Sequence, residues 1–375
     1  MEKKRFYMLN IVTFASLLFF FFGANLIYPA PEVLKSERRS TAKFPDFFTS
    51  ANGLIKINQK FSKEFETYAL DHVAFREPLR RIKAYSLYYV FGQTDNNGIY
   101  IVDEHAAKIE TLRGDSVRSG ADKMNRIQQN MLTNQNVYYA VIPDKGYYLA
   151  EKRGCPSIDY QQVEQILNEK LTDMEYISLL SALSAESYYK TDLHWKQEKL
   201  WPIVHELSGK MSFSYPDDVR FDEVSCSPFY GVYYGQSALP LPSETLKYLT
   251  GRGIEKTKVT YLDEKTFEMK EGVMYDEALF YGIDPYDIFL KGAKPLVVLE
   301  NETATSDKEL YIFRDSFACS LAPLLTTSYK KITLIDLRYL ASPYVEELIE
   351  FQEGADVLFL YSMQVLNDSA LLLVK

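Results

Sequence analysis

Cysteine is nearly absent from this chain: Cys155, Cys226 and Cys319 are the only three among 375 residues. Three cysteines make no disulfide framework, and none stands in a C-x-x-C spacing that would suit a metal. A Cys155–Cys226 bridge is compatible with a compartment outside the cytoplasm, but sparse unpaired thiols are the simpler expectation. Histidine is scarce as well. His72, His105, His194 and His205 are too few for a His-rich metal centre, and nothing near Asp103 and His105 completes a coordination shell. No metal and no organic cofactor is therefore expected. Basic charge is short: 42 Lys and Arg face 51 Asp and Glu, a net charge of -9. Residues 1–29 carry Glu2, Lys3, Lys4 and Arg5, a net +2, so the remainder carries -11. A body that acidic lacks the field that nucleic-acid affinity requires, which excludes nucleic acid as a partner. Internal repeats and low-complexity tracts are missing too. Apolar residues at 47% and charged residues at 25% describe a globular chain, long enough for one large domain or two ordinary ones.

What the sequence does have is one long apolar run. No residue from Phe6 to Pro31 is charged, and Ile11–Ile27 is dense in Leu, Phe and Ile. About 20 residues at 1.5 Å rise cross a hydrocarbon core of roughly 30 Å. Lys3, Lys4 and Arg5 precede the run and favour a cytoplasmic N-terminus. A cleaved signal peptide is the competing reading. Cleavage after Ala24 or Ala30 would place Phe22 or Tyr28 at the -3 position, where a small residue is needed. An uncleaved anchor is the expectation: residues 1–6 cytoplasmic, 7–29 transmembrane, and the bulk of the chain extracytoplasmic at the cell membrane. No second run has spanning length, so the chain is not itself expected to be a channel or transporter.

Residues 30–50, rich in Pro, Ser and charge, read as a stalk. Residues 51–92 carry helical periodicity in Phe61, Phe65, Tyr68 and Ala69, then Leu79, Ile82 and Leu87. From residue 93 to 375 the pattern is mixed α/β. Val137–Ile142 is a β-branched and aromatic run stopped by Pro143, which predicts a buried strand. Helices are predicted from Ser157 to about Met174 and from Trp195 to Met211. Residues 212–285, full of aromatics, glycines and short alternating runs, read as an irregular β insertion. Pro295–Leu299, Glu309–Phe313, Lys331–Ile335 and Ala355–Tyr361 are apolar runs of strand length with helical patterns between several of them. Such runs argue for a parallel sheet covered on both faces, with ligands beyond the carboxyl ends of its strands. That rule points to the residues after Phe313 and after Ile142.

Two stretches carry chemistry. Ser316 follows the strand ending at Phe313 and precedes a helical run, Ala318–Leu325. A serine on such a turn projects its hydroxyl at the sheet edge, where the helix start offers N–H groups to developing negative charge. It is also an ordinary place for a helix cap. In Thr191-Asp192-Leu193-His194-Trp195, an extended backbone would put Asp192 and His194 on one face. A carboxylate there orients an imidazole, whose other nitrogen takes a proton from a hydroxyl. An Asp192 helix cap with a surface histidine is the plainer alternative.

These two stretches together resemble the DHHW family, relatives of the SGNH-type alginate O-acetyltransferases of the cell envelope. Asp71-His72-Val73-Ala74-Phe75-Arg76 resembles that family's early D-x-x-x-F-R element, and Asn97-Gly98-Ile99-Tyr100 the start of its core. Pro143-Asp144-Lys145 and Asp336-Leu337-Arg338-Tyr339 resemble two strand ends. No one motif is specific; their order over residues 35–365 is. The resemblance implies an SGNH-like three-layer α/β/α domain with a mostly parallel sheet, in which Ser316 is the nucleophile, His194 the general base and Asp192 its orienter. It gives Asp315 a structural role. Leu193 departs from the family, whose name records a histidine there. Arg314 stands where many SGNH enzymes have glycine, so the oxyanion donor becomes the Ser316 N–H, with Asn301 as a second candidate.

The implied activity is acyl transfer, O-acetyl first of all, to or from an extracellular polysaccharide, with a membrane-bound O-acyltransferase as an implied partner. A carbohydrate acetylesterase, or a non-catalytic glycan-binding or envelope-assembly protein on the same fold, are the alternatives. With 29 tyrosines and 23 phenylalanines, aromatic stacking on sugar rings is available, and Tyr188, Tyr189, Tyr230, Tyr233 and Tyr234 are candidates. Tyr189, Tyr230 and Lys145 are expected at the substrate. Asp71 and Arg76 are expected to form a structural ion pair.

Overall fold

The computed structural model describes residues 2–51, 54–215, 221–251 and 253–375. It forms two compact units: Met1–Asn96 with Gly235–Pro240, and Asn97–Tyr234 with Leu241–Lys375.

The larger unit is built on an eight-stranded sheet. Its strands, numbered in chain order, are β1 (Asn136–Ile142), β2 (Glu175–Tyr176), β3 (Lys258–Leu262), β4 (Met269–Gly272), β5 (Leu296–Glu300), β6 (Glu309–Arg314), β7 (Lys331–Ile335) and β8 (Asp356–Ser362). Across the sheet they run in the order β4-β3-β5-β7-β6-β8-β1-β2. The five strands from β7 to β2 are parallel. The period of two in the backbone sends alternate side chains to opposite faces. Tyr138, Ala140, Leu310, Ile312, Leu358 and Leu360 pack on one face with the helices Trp201–Met211 and Ala318–Leu325. Tyr139, Val141, Tyr311, Phe313, Val357 and Phe359 pack on the other with Gly114–Met131 and Tyr160–Lys170. Because both faces are covered, the strands read as unbroken apolar runs.

The expected elements shift at their edges for identifiable reasons. The helix expected from Ser157 begins at Tyr160, because Asp159 caps it and accepts from Gln161 N and Gln162 N at 3.0 and 3.2 Å. The helix expected from Trp195 begins at Trp201, with Pro202 in its first turn, since Trp195 is bridged to Tyr188 in a preceding bend. The stretch 212–285 is more than an insertion: it supplies β3 and β4 to the main sheet. Its other strands, Asp222–Phe229 and Glu244–Thr250, form a separate antiparallel pair.

Two strands, β4 and β5, run against the other six. β5 is antiparallel to β7, with Leu296 opposite Ile335 and Glu300 opposite Lys331. Its carboxyl end therefore lies at the amino end of its neighbours.

In the smaller unit, the helix Glu2–Ile27 is, among the described residues, the one long and apolar enough to cross a membrane, with a mean hydropathy of 1.9 over Lys3–Ile27. The stretch 30–50 is held by ion pairs to the helices Phe61–Asp71 and Arg76–Tyr85. Asp71 accepts from Arg39 through both carboxylate oxygens at 2.6 Å and lies 3.3 Å from Arg76 Nη2. Glu37 pairs with Arg76 at 2.5 Å and Arg80 at 3.1 Å. Asp71 and Arg76 are thus structural partners, with Arg39 as the closer one.

Candidate active site

Strand β6 ends at Arg314 and a helix starts at Ala318, so Ser316 stands in the turn between them at the carboxyl edge of the sheet. Asp315 fixes that turn. Its Oδ1 accepts from Phe317 N at 3.0 Å and its Oδ2 from Ser362 N at 2.7 Å, tying the turn to the end of β8. Ser316 keeps partial exposure while Asp315 and Phe317 are buried.

The loop carrying Asp192 and His194 is a tight bend and not the extended segment expected from sequence. Tyr189 N donates to His194 O at 3.1 Å, and Lys196 N to Ser187 O at 2.8 Å, closing the bend at its base. Within it Asp192 Oδ1 accepts from His194 N at 3.0 Å, the local turn that aspartate side chains favour. The same oxygen lies 2.7 Å from His194 Nδ1, and His194 Nε2 lies 2.7 Å from Ser316 Oγ. With the Nδ1 proton directed at the carboxylate, Nε2 is left to accept from the serine hydroxyl. The two stretches, 122 positions apart, thus meet in one chain of carboxylate, imidazole and hydroxyl.

Residues not singled out from the sequence hold this bend. Glu244 accepts from Lys190 N at 2.6 Å, Thr191 N at 2.7 Å and Thr191 Oγ1 at 2.7 Å. Thr191 Oγ1 accepts from Gly231 N at 2.8 Å, and Asp192 Oδ2 from Val232 N at 2.8 Å. Gly231 packs so closely on the Thr191 carbonyl and Asp192 Cβ that an added Cβ would collide with both. The imidazole stacks on Tyr286 with ring centroids 3.7 Å apart and 7° between planes. Tyr286 OH donates to Ser320 Oγ at 2.8 Å. Trp195 Nε1 reaches Phe317 O at 3.0 Å and Ser320 Oγ at 2.9 Å. These partners lie tens of positions away on other elements, and only the closeness demanded at Gly231 leaves a trace in sequence, in the run Phe229-Tyr230-Gly231.

The other expected site residues fall elsewhere. Arg314 is buried: its Nη2 donates to Lys294 O at 3.0 Å, and its Nη1 lies 3.6 Å from Asp336 Oδ2, a brace under the sheet edge. Asn301 follows β5 and, because that strand is reversed, lies at the edge opposite Ser316. Its Nδ2 donates to Thr326 O at 2.8 Å and its Oδ1 accepts from Thr303 N at 2.9 Å. Lys145 borders the small cavity beside the bend, but its charged end turns inward. Its Nζ is buried behind the bend, donating to Tyr189 O at 2.8 Å and Lys190 O at 3.2 Å. Burial pulls its pKa down to about 7, against the opposing pull of Glu244 and Asp192. Tyr189 is core, against Phe229 and Tyr286. Tyr188 and Tyr233 are buried too, whereas Tyr230 is exposed with its ring 4.6 Å from Tyr234. Leu193, in the family's histidine position, packs half-buried against apolar neighbours.

A small cavity at the carboxyl ends of β1 and β8 is lined by Ile142, Pro143, Asp144, Lys145, Leu193, Tyr233, Phe317, Ser362, Met363 and Gln364, of which Leu193 and Phe317 adjoin His194 and Ser316 in sequence. Among the described residues no group of His, Cys, Asp and Glu is placed to hold a metal ion, and no disulfide joins the cysteines.

No family model matches the sequence, and neither does any curated protein. Solved structures do match. A DHHW family protein from Eubacterium siraeum is similar with a TM-score of 0.58 at 20% identity, over 72% of this chain and 93% of that one. PatB1 of Bacillus cereus with a sulfonyl adduct gives 0.57 at 20% identity, over 74% of this chain and 98% of that one. A second structure of PatB1 of Bacillus cereus gives 0.55 at 20% identity, over 72% of this chain and 96% of that one. The resemblance to the DHHW family read from the sequence therefore extends to the fold, which this chain shares with both proteins.

Proposed function

We propose that this chain is a serine acyltransferase or esterase that moves an acyl group, acetyl first of all, onto or off an extracytoplasmic polysaccharide. The observation that carries the reading is the chain Asp192–His194–Ser316, with both of its contacts at 2.7 Å. Ser316 Oγ attacks the ester carbonyl of the donor as His194 Nε2 takes its proton. The tetrahedral oxyanion meets the Ser316 N–H at the helix start, since the Phe317 N–H is engaged by Asp315. Collapse returns the proton from His194 to the departing alkoxide and leaves an acyl-serine. A sugar hydroxyl, or water, then gives its proton to His194, attacks the acyl carbon and releases Ser316.

The apolar helix Lys3–Ile27 supports a single-pass anchor with Lys3, Lys4 and Arg5 on the cytoplasmic side and the larger unit outside. A membrane-bound O-acyltransferase as source of the acyl group follows from the family resemblance alone. Recovery of the intact N-terminus from the membrane fraction tests the anchor; a mature chain lacking residues 1–29 refutes it.

A sulfonyl fluoride tests the nucleophile, the more directly because PatB1, of similar fold, has been obtained with a sulfonyl adduct. Labelling of the wild type that disappears in Ser316→Ala, with turnover of an acetyl ester lowered by about 10³-fold or more, supports the enzyme. Absence of labelling together with unchanged glycan binding favours the non-catalytic alternative. Product analysis with a sugar acceptor present separates transfer from hydrolysis.

A further inference from the structure

The helix Arg76–Tyr85, continued by the wider turn Ser86–Val90, has its two sides the opposite way round from a helix of a water-soluble protein. Ala84 and Tyr88 are buried, and Arg76 and Arg80 face inward to pair with Glu37. The outward side carries Leu79, Ile82, Tyr85, Tyr89 and Val90, with Ile82 63% and Val90 67% exposed. Phe75, Leu79 and Ile82 follow one another at spacings of four and three, so they form one stripe. Arg81 and Lys83, both exposed, fall on either side of it.

The start of this stripe is fixed against the apolar N-terminal helix. The Phe75 ring stacks on Phe20, with centroids 6.3 Å apart and 9° between planes, and lies 5.4 Å from Tyr28. Ala74 N donates to Asn25 Oδ1 at 2.6 Å. Phe20 and Asn25 belong to the last two turns of Glu2–Ile27. Phe75 also adopts φ 60°, a backbone region costly for a bulky residue, to place its ring there.

We propose that the face formed by Phe75, Leu79, Ile82 and Tyr89 docks on a lipid surface, lying in the outer-leaflet boundary between headgroups and acyl chains. The proposal rests on the anchor reading above. A helix that leaves the bilayer at Ile27 carries Phe75 at the depth of its final turns, and the stripe continues from there. Apolar side chains in the middle, tyrosines beside them and Arg81 and Lys83 on the flanks match the layered chemistry of that boundary.

The test uses the full chain in lipid nanodiscs, with tryptophan added at Ile82→Trp and read as the difference from the wild type. Leu17→Trp reports the anchor, and Lys152→Trp reports an exposed position of the larger unit. The acyl chains carry bromine either near the headgroup or mid-chain. Ile82→Trp is expected to emit at shorter wavelength and to be quenched about twofold or more by the shallow bromine, with Lys152→Trp unaffected. Quenching of Leu17→Trp without quenching of Ile82→Trp overturns the docking and leaves the anchor standing. Loss of quenching at Leu17→Trp overturns both. A shift to shorter wavelength at Ile82→Trp that grows with copies per disc, without quenching, assigns the face to a second copy and overturns the lipid proposal.

Discussion

Asp192 and His194 share one oxygen: the backbone N–H of His194 and its ring Nδ1 both end on Asp192 Oδ1, at 3.0 and 2.7 Å. One carboxylate thus sets both the shape of the bend and the direction of the ring. Its other oxygen is taken by Val232 N, so neither can be exchanged for an N–H donor without loss. In Asp192→Asn the amide nitrogen faces either Val232 N–H or the His194 contacts. Turnover of an acetyl ester is expected to fall by about 10²–10⁴-fold, while sulfonyl labelling of Ser316 slows without disappearing. Rates within threefold of wild type would show that the carboxylate does not orient the base.

Gly231 supplies a second, purely steric expectation. A methyl group there collides with the Thr191 carbonyl and Asp192 Cβ, and the bend has to move to admit it. Gly231→Ala should lower stability by about 1–3 kcal/mol and reduce turnover, because His194 moves with the bend. Thermal denaturation and steady-state kinetics read the two effects; an unchanged melting temperature would contradict the packing.

Asn301 separates a brace from an oxyanion donor. Its amide holds Thr326 O and Thr303 N, at the edge of the sheet opposite Ser316. Asn301→Ala is expected to cost about 1–3 kcal/mol of stability and leave kcat within about twofold. A hundredfold loss of kcat in a folded variant would restore it to the reaction.

Lys145 gives the larger unit a pH dependence. Burial lowers its folded-state pKa to about 7, whereas the unfolded chain protonates it at the ordinary value of 10.5. Between those values the unfolded state binds more protons, so stability rises with pH through this window, by roughly 1.4 kcal/mol per unit at most. A neutral amine still has two hydrogens for Tyr189 O and Lys190 O, so the contacts survive deprotonation. Denaturant titrations from pH 6 to 11 should show this slope in the wild type and lose it in Lys145→Met. Parallel profiles would refute the shift.

Much of this was written in local pattern. Strand runs such as Lys331–Ile335 and Glu309–Phe313 were recognisable because both faces are apolar, and Asp192, His194 and Ser316 stood out because their residue types suit one reaction. Direction was not recognisable. Periodicity says that Leu296–Glu300 is a strand but not which way it runs, and that reversal carries Asn301 to the far edge. Exposure misled at Tyr189, since an aromatic near a strand end reads alike whether it turns outward or inward. Glu244, Gly231 and Tyr286 went unseen because their contacts cross 40 or more positions and depend on how separate elements pack.

Trp195 adds a mechanical consequence. Its indole nitrogen joins the chain just after His194 to Phe317 and Ser320, just after Ser316. The indole thus ties the bend that carries His194 to the turn that carries Ser316, so a displacement of either one pulls on the other.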